Sequence, residues 1–383
     1  MARHIRQGAF ICTALLLAAA PACTGGPSVS PGATGGTATG GAVEGRAFTL
    51  LTSGDVLPHT SVIDRAAADG GGRGYDFRPM LAGAVPAVRG ADLAICHMET
   101  VYGRDGGPYT GYPAFKSPPE VARALRATGY DSCSTASNHT LDDGAEGISR
   151  TLDALDEAGI AHAGSARSAA EAARPNLLTA GRGEGAARVA QLAYTYGTNG
   201  IPLPDGRPWA VNLIDAKRIV TDARAARRAG ADVVVVSVHW GTEWQDDPDP
   251  QQLTLARELT AAATAGRRDI DLVVGTHAHV PQAYEKVNGT WVVYGMGDQI
   301  AGMMVNGAGA QEPRGNQSSM ARFTFVPPRK PGERWTVGKA EFLPQQFDPV
   351  AGRIIGPTAS VRDRIRSVVL SRGAAQDGLV MGR

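Results

Sequence analysis

From about residue 47 the chain alternates between short apolar runs and longer amphipathic stretches. Phe48-Thr49-Leu50-Leu51-Thr52 predicts a strand, Ala91–Cys96 a second and Asp131–Ala136 a third. Asp232-Val233-Val234-Val235-Val236-Ser237-Val238 is nearly all β-branched, the composition of a strand buried on both faces. Asp271–Gly275 and Trp291–Gly295 are two more strong strands. Helices fall between them. Ser117-Pro118-Pro119-Glu120 predicts a helix start, with Ser117 as N-cap, proline in the first turn and Glu120 three residues after the cap; Gly129 closes it. A second helix covers about Asp143–Ala158 and stops at Gly159, a third precedes Gly230, and a fourth runs from about Pro250 to Ala265. Strands alternating with helices predict an α/β fold whose sheets are covered by helices. From about Phe323 the chain turns Pro-rich with short alternating segments, which predicts an antiparallel edge or a C-terminal cap segment over the sheet. The last ten to fifteen residues or so carry no firm pattern.

The pattern divides the chain into residues 1–22, 23–46, 47–350 and an extension, 351–383. Arg3, His4 and Arg6 precede an apolar run, Ala9–Ala20, which is short for a bilayer span and right for a signal-peptide core. It ends in Ala20-Pro21-Ala22-Cys23. A small residue directly before a cysteine resembles a bacterial lipobox, although Ala20 stands where leucine is usual. Lipidation at Cys23 would leave an exported protein held at the cell membrane; cleavage near Ala22 without lipidation would leave a secreted one. Of the 23 residues from Thr24 to Arg46, 16 are Gly, Ser, Thr or Pro, the composition of a flexible tether. A tether directly after Cys23 favours the anchored form.

Composition changes this picture little. Apolar residues at 43% and charged residues at 20% support a globular core. Lys+Arg is 38 against Asp+Glu 37, so there is no basic excess pointing to a nucleic-acid partner. Cys96 and Cys133 each sit in an apolar run; an exported protein could pair them, and two small buried thiols fit the sequence equally. Neither has zinc-finger or thioredoxin spacing.

The candidate chemistry recurs at strand ends. Gly54-Asp55, His97-Met98-Glu99, Ser137-Asn138-His139, His239-Trp240-Gly241 and His277-Ala278-His279 each follow or end a predicted strand. Open α/β sheets carry ligand sites at the C-terminal edges of their strands, so five separated motifs can converge. Six of the eight histidines lie in or near these motifs: His59, His97, His139, His239, His277 and His279. A mixed Asp, Glu, Asn and His set suits Zn, Mn, Fe or another borderline divalent ion. In His277-Ala278-His279, side chains two apart in an extended segment point the same way and can share one centre.

These motifs, with Phe115-Lys116, Asp142-x-Gly144, Tyr194–Gly200 and Val293–Asp298, resemble the capsule-biosynthesis CapA (poly-γ-glutamate synthesis) family, a branch of the calcineurin-like metallophosphoesterases. The resemblance covers about Phe48 to Ile300. It implies a four-layer α/β/β/α metallophosphoesterase-like sandwich with the site at one edge. It implies one or two divalent metal ions (Mn, Zn or Fe), with Asp55 and His279 on the first, Glu99 bridging, and Asn138, His239 and His277 on the second. It leaves His139 off the metal, facing substrate as a general acid or anion-stabilising group. Lys116 stands where the family often has Arg, as a point charge for substrate.

The sequence also departs from the active-phosphoesterase pattern. Those enzymes carry Asp-x-His in the first motif; here it is Asp55-Val56-Leu57, with His59 four residues after Asp55 as a substitute that would need a tight turn at Pro58. His97 stands where the branch commonly has Asn, and Asp298 replaces a common Asn. Two functions follow: an envelope metallohydrolase of a phosphate ester or anionic polymer linked to capsule synthesis, or a non-catalytic accessory protein that binds or helps export an anionic polymer within an envelope polymer-synthesis complex. A third reading is an α/β domain with surface histidines and no metal.

Overall fold

The computed structural model describes residues 45–382 except 182, 184 and 331; the predicted signal peptide, Cys23 and nearly all of the tether lie outside that range. In chain order the strands are β1 (Phe48–Val56), β2 (Leu93–Met98), β3 (Ser132–Ser134), β4 (Ala161–Ala163), β5 (Asn176–Ala180), β6 (Ala187–Thr195), β7 (Val233–His239), the short pair β8 (Ala263–Thr264) and β9 (Arg267–Arg268), β10 (Leu272–Thr276), β11 (Tyr284–Val287), β12 (Thr290–Val293), β13 (Asp298–Ile300), β14 (Gln317–Val326), β15 (Thr336–Asp348), β16 (Arg353–Ile355) and β17 (Leu379–Met381). The helices are α1 (Thr60–Gly70), α2 (Arg78–Leu81), α3 (Val85–Arg89), α4 (Glu120–Thr128), α5 (Gly144–Ala158), α6 (Ala169–Ala172), α7 (Ala216–Arg228), α8 (Pro250–Ala261) and α9 (Ala359–Val369).

Two sheets stack face to face. The first runs β16-β15-β14-β1-β2-β3-β4, with β13 beside β1 and β17 beside β15; the second runs β11-β12-β10-β7-β6-β5. Strands β1 to β4 are mutually parallel, as are β6, β7, β10 and β12. Side-chain alternation assigns the layers. Val233 and Val235 of β7 meet Phe48, Leu50, Leu93 and Ile95 of the first sheet in the inter-sheet core. Val234, Val236 and Val238 point the other way, onto Ile219 and Ala223 of α7 and Leu255 and Leu259 of α8. Leu51, Ala94 and Cys96 face Leu125 of α4 and Leu152 of α5. The result is the four-layer α/β/β/α sandwich, with both parallel sheet cores sealed by helices.

The Pro-rich C-terminal region supplies the antiparallel edge: β14 pairs with β1, β15 with β14, and β16 with β15. The last residues are better specified than their sequence pattern, because β17 adds to β15 in parallel and α9 buries Ile365 and Val369 in the inter-sheet core. Two helix boundaries differ from expectation. The helix after Pro119 begins at Glu120 with Pro119 as N-cap, and Ser117 bonds Thr100 at 2.7 Å instead of capping. The helix from Pro250 ends at Ala261, where β8 and β9 take over. Cys96 and Cys133, register partners in β2 and β3, form a disulfide.

Candidate metal centre

The strand ends deliver their polar residues to one buried place. A register shift in the β1–β2 ladder between Thr52 and Asp55 brings Asp55 opposite His97, and the parallel contact with β13 places it opposite Asp298. Gly54 permits that approach: a Cβ there would sit 1.7 Å from the Gly297 carbonyl oxygen. Glu99 follows β2, Asn138 and His139 lie on the turn after β3, His239 ends β7, and His277 and His279 follow β10. Gly275 is constrained too, since a Cβ would lie 2.0 Å from the Tyr294 carbonyl oxygen.

Among the described residues, four groups of ligand atoms lie mutually within 4.8 Å, and the three that are wholly buried interlock to make up the centre. They are Asp55, Glu99, His279 and Asp298; Glu99, His239 and His277; and Asp55, His97 and His239. Glu99 belongs to two of these groups, and all seven residues are buried. Asn138 joins the second through its Oδ1, 2.8 Å from His239 Nε2, while its Nδ2 donates to Asn199 Oδ1 at 3.2 Å. His239 Nδ1 lies 2.9 Å from Thr276 Oγ1, which fixes the ring. His277 and His279 come together with Glu243 in a further group of ligand atoms within 4.8 Å, although the segment that carries them is not extended as the spacing predicted. Both have positive φ, 93° and 57°, so the backbone turns; His277 also joins Glu99 and His239, and His279 joins Asp55, Glu99 and Asp298.

The donor set fits divalent cations. Asp55 Oδ1, both Glu99 carboxylate oxygens, Asp298 Oδ2, His97 Nε2 and His277 Nδ1 are buried without a hydrogen-bond partner among the described residues. So many bare buried acceptors are costly unless something positive meets them. Electrostatics agree. Burial, then Asp298, pushes the Asp55 carboxyl up to about 8, and burial, then Asp55, holds Glu99 well above the carboxylate range. Burial raises Asp298 as well. Burial and the neighbouring imidazoles hold His239 and His277 well below their ordinary value, and burial brings His97 down to about 3. Neutral imidazoles offer lone pairs. At His279 burial opposes the charge, but Asp298, Glu99 and Asp55 outweigh it and hold the ring well above its ordinary value. Divalent cations would release the protons shared by the acids.

His139 stands outside these groups. Its Nδ1 lies 2.7 Å from Asp142 Oδ2, which also accepts the Phe115 N–H at 2.7 Å, and the Phe115 ring meets the imidazole edge-on. The segment is a turn, with Ser137 N–H donating to Thr140 Oγ1, yet Asn138 and His139 still diverge. Lys116 also lies outside the groups: its Nζ is 3.6 Å from Asp143, which also holds Arg150. His59 does not take the place of the missing first-motif histidine, since it belongs to no ligand group among the described residues. Its Nδ1 accepts the Gly302 N–H at 3.1 Å and lies 3.0 Å from the Leu57 carbonyl. The sequence missed three rim residues. Tyr196 lays its ring 4.5 Å from His277, Trp244 stacks 5.2 Å from His279, and Glu243 reaches both histidines. Glu243 and Trp244 come from a loop without periodicity, whereas Tyr196 lies in the Tyr194–Gly200 stretch of the family resemblance, which gave it no role.

The sandwich and the acid–imidazole donor set at its strand ends define a four-layer α/β domain with a candidate divalent-metal centre. The chain belongs to the bacterial capsule synthesis protein PGA_cap family, whose model matches residues 49–303. A Mycobacterium tuberculosis protein named probable polyglutamine synthesis accessory protein is 30% identical over 219 residues, 55% of this chain and 55% of its own length. The capsule biosynthesis protein CapA of Bacillus anthracis is 27% identical over 185 residues, 47% of this chain and 42% of its own. The chain thus aligns with about half the length of these curated relatives. Among solved structures, the calcineurin-like phosphoesterase YfkN of Bacillus subtilis matches with a TM-score of 0.47 at 15% identity, covering 86% of this chain and 97% of that one.

Proposed function

We propose that this protein is a metal-dependent hydrolase of the cell envelope, acting on phosphate esters or an anionic polymer connected with poly-γ-glutamate capsule synthesis. The observation that carries the reading is Glu99: it belongs to two ligand groups at once, and both its oxygens are buried and unpartnered among the described residues. Asp55 and His279 would hold one cation, Asn138, His239 and His277 another, with Glu99 between them. Bound divalent ions of the Mn, Zn or Fe class supply Lewis acidity, polarising a phosphoryl oxygen and acidifying a water molecule. His139, oriented by Asp142, would give a proton from its other ring nitrogen to the leaving oxygen. Half-buried Lys116 would attract the anionic substrate. Metal-stripped protein given Mn²⁺ should turn over a bis-aryl phosphate, and His239→Ala should not.

One observation favours a second reading, a non-catalytic accessory protein that binds or helps export an anionic polymer. Leu57 occupies the place of the first-motif histidine and packs with Phe115, Ala301 and Met304. Polymer binding that depends on metal, without turnover of any phosphate ester, would select this reading.

We further propose export and membrane anchoring through Cys23. The Cys96–Cys133 disulfide supports export, because such bonds persist in oxidising compartments. In its native host the protein should partition with membranes and incorporate labelled fatty acid, and Cys23→Ala should abolish both. Soluble, unlabelled wild-type protein would leave a secreted form.

A further inference from the structure

We infer that Asp298 is an anionic ligand of the first cation and makes good the imidazole that the first motif lacks; the inference rests on the metal reading above. Leu57 cannot contribute, since its side chain lies in an apolar cluster, and His59 belongs to none of the ligand groups among the described residues. Without Asp298 the first centre has Asp55, Glu99 and His279 alone. β13 supplies the fourth member from a remote part of the chain, because its parallel register with β1 sets Asp298 opposite Asp55. A carboxylate oxygen of Asp298 then falls within 4.8 Å of ligand atoms of Asp55, Glu99 and His279.

The two oxygens of Asp298 have different tasks. Oδ1 lies 2.8 Å from His279 Nδ1 and accepts its proton, which turns the other ring nitrogen of His279 toward the centre. Oδ2 is fully buried and has no hydrogen-bond partner among the described residues. A carboxylate present only to orient His279 would leave that oxygen bare, and a bare buried acceptor is destabilising. An asparagine would orient the ring as well, through its amide oxygen, and would present no second acceptor oxygen at the place of Oδ2. The acid is therefore explained by a cation. Three carboxylates and one imidazole make an oxygen-rich, strongly anionic set, which suits a hard ion of the Mn²⁺ class better than a thiophilic one.

Asp298→Asn tests this in the full chain, because the amide oxygen still accepts from His279 while the anionic Oδ2 is lost. Mn²⁺ uptake by metal-stripped protein, followed by titration calorimetry and by the Mn²⁺ paramagnetic resonance signal, should fall one equivalent below wild type at concentrations that saturate the wild type. That corresponds to a loss of about 100-fold or more at one site, at the upper end of what outer-sphere changes cause. Asp298→Ala should show the same Mn²⁺ deficit with a lower metal-free thermal midpoint, because His279 then also loses its acceptor. Asp298→Asn protein that takes up the wild-type complement with affinity within about threefold would overturn the ligand role alone. Wild-type protein that takes up no Mn²⁺ would overturn the metal reading together with it.

Discussion

His139 Nδ1 and Asp142 Oδ2 lie 2.7 Å apart, and the same carboxylate oxygen takes the Phe115 N–H. The imidazole is fixed from one side by a carboxylate and from its edge by an aromatic ring, with no part in the ligand groups. His139→Asn should therefore leave metal content nearly unchanged while lowering phosphoesterase turnover by about 10²–10⁴-fold. The loss should be greatest on esters with poor leaving groups and smaller on aryl phosphates, whose leaving group needs little protonation. Equal losses on both substrate classes, or loss of metal, would make His139 a loop brace.

His239 belongs to two of the ligand groups and also meets Asn138. Its Nε2 lies 2.8 Å from Asn138 Oδ1 and 3.7 Å from Glu99 Oε1, and its Nδ1 is held by Thr276. His239→Ala removes a neutral nitrogen donor and leaves Asn138 and Glu99 without it. Metal analysis of protein purified without a histidine tag should show about one equivalent less than wild type, with the disulfide intact and unfolding still cooperative. A full metal complement would remove His239 from the ligand set.

Much of this centre could be read from the sequence, for a physical reason. Asp55, Glu99, Asn138, His239 and His277 each sit at or just beyond the C-terminal end of a strand, and parallel β1–β2–β3 and β7–β10 pairing brings such ends together. The buried valines of β7 made that strand unmistakable. What escaped depends on contacts distant in sequence. Asp298 matters because β13 lies beside β1, a pairing across more than two hundred residues that no local pattern encodes. The placing of His277 and His279 depends on positive φ at non-glycine residues, which composition does not announce. The disulfide was undecidable until β2 and β3 were seen in register.

That disulfide closes a segment of 37 residues on strands leading to Glu99 and Asn138. Chain-entropy arguments give such a crosslink about 3–4 kcal/mol. The double change Cys96→Ala, Cys133→Ala should lower denaturant stability by roughly that amount. Metal uptake should fall less than in His239→Ala, because the β2–β3 ladder persists and Ser134 Oγ still holds His97 Nδ1 at 2.7 Å. Unchanged stability in the double variant would show that the bond constrains little beyond what the ladder already fixes.

His59 gives a pH dependence separable from the metal ligands. Burial pushes its imidazole down to about 4, against the opposing pull of the Leu57 carbonyl. In the unfolded chain it titrates near its ordinary value of 6.5. Between those values the unfolded state binds the extra proton, so stability rises with pH there. The His59 contribution is complete above about pH 6.5 and is lost as pH falls toward 4. Its full size would be about 3 kcal/mol, reduced because the ring is only half-buried and solvent reaches its edge. His59→Asn removes the titration and keeps a short polar side chain near the Gly302 N–H. Denaturation of metal-free wild type and variant across pH 4–8 should give curves whose separation is constant above pH 6.5 and changes in favour of the variant below it. Comparing the two proteins cancels the opposite trend from Asp55, whose raised carboxyl makes metal-free protein less stable as pH climbs toward 8. Parallel curves down to pH 4 would mean that the ring stays solvated enough to keep its ordinary value.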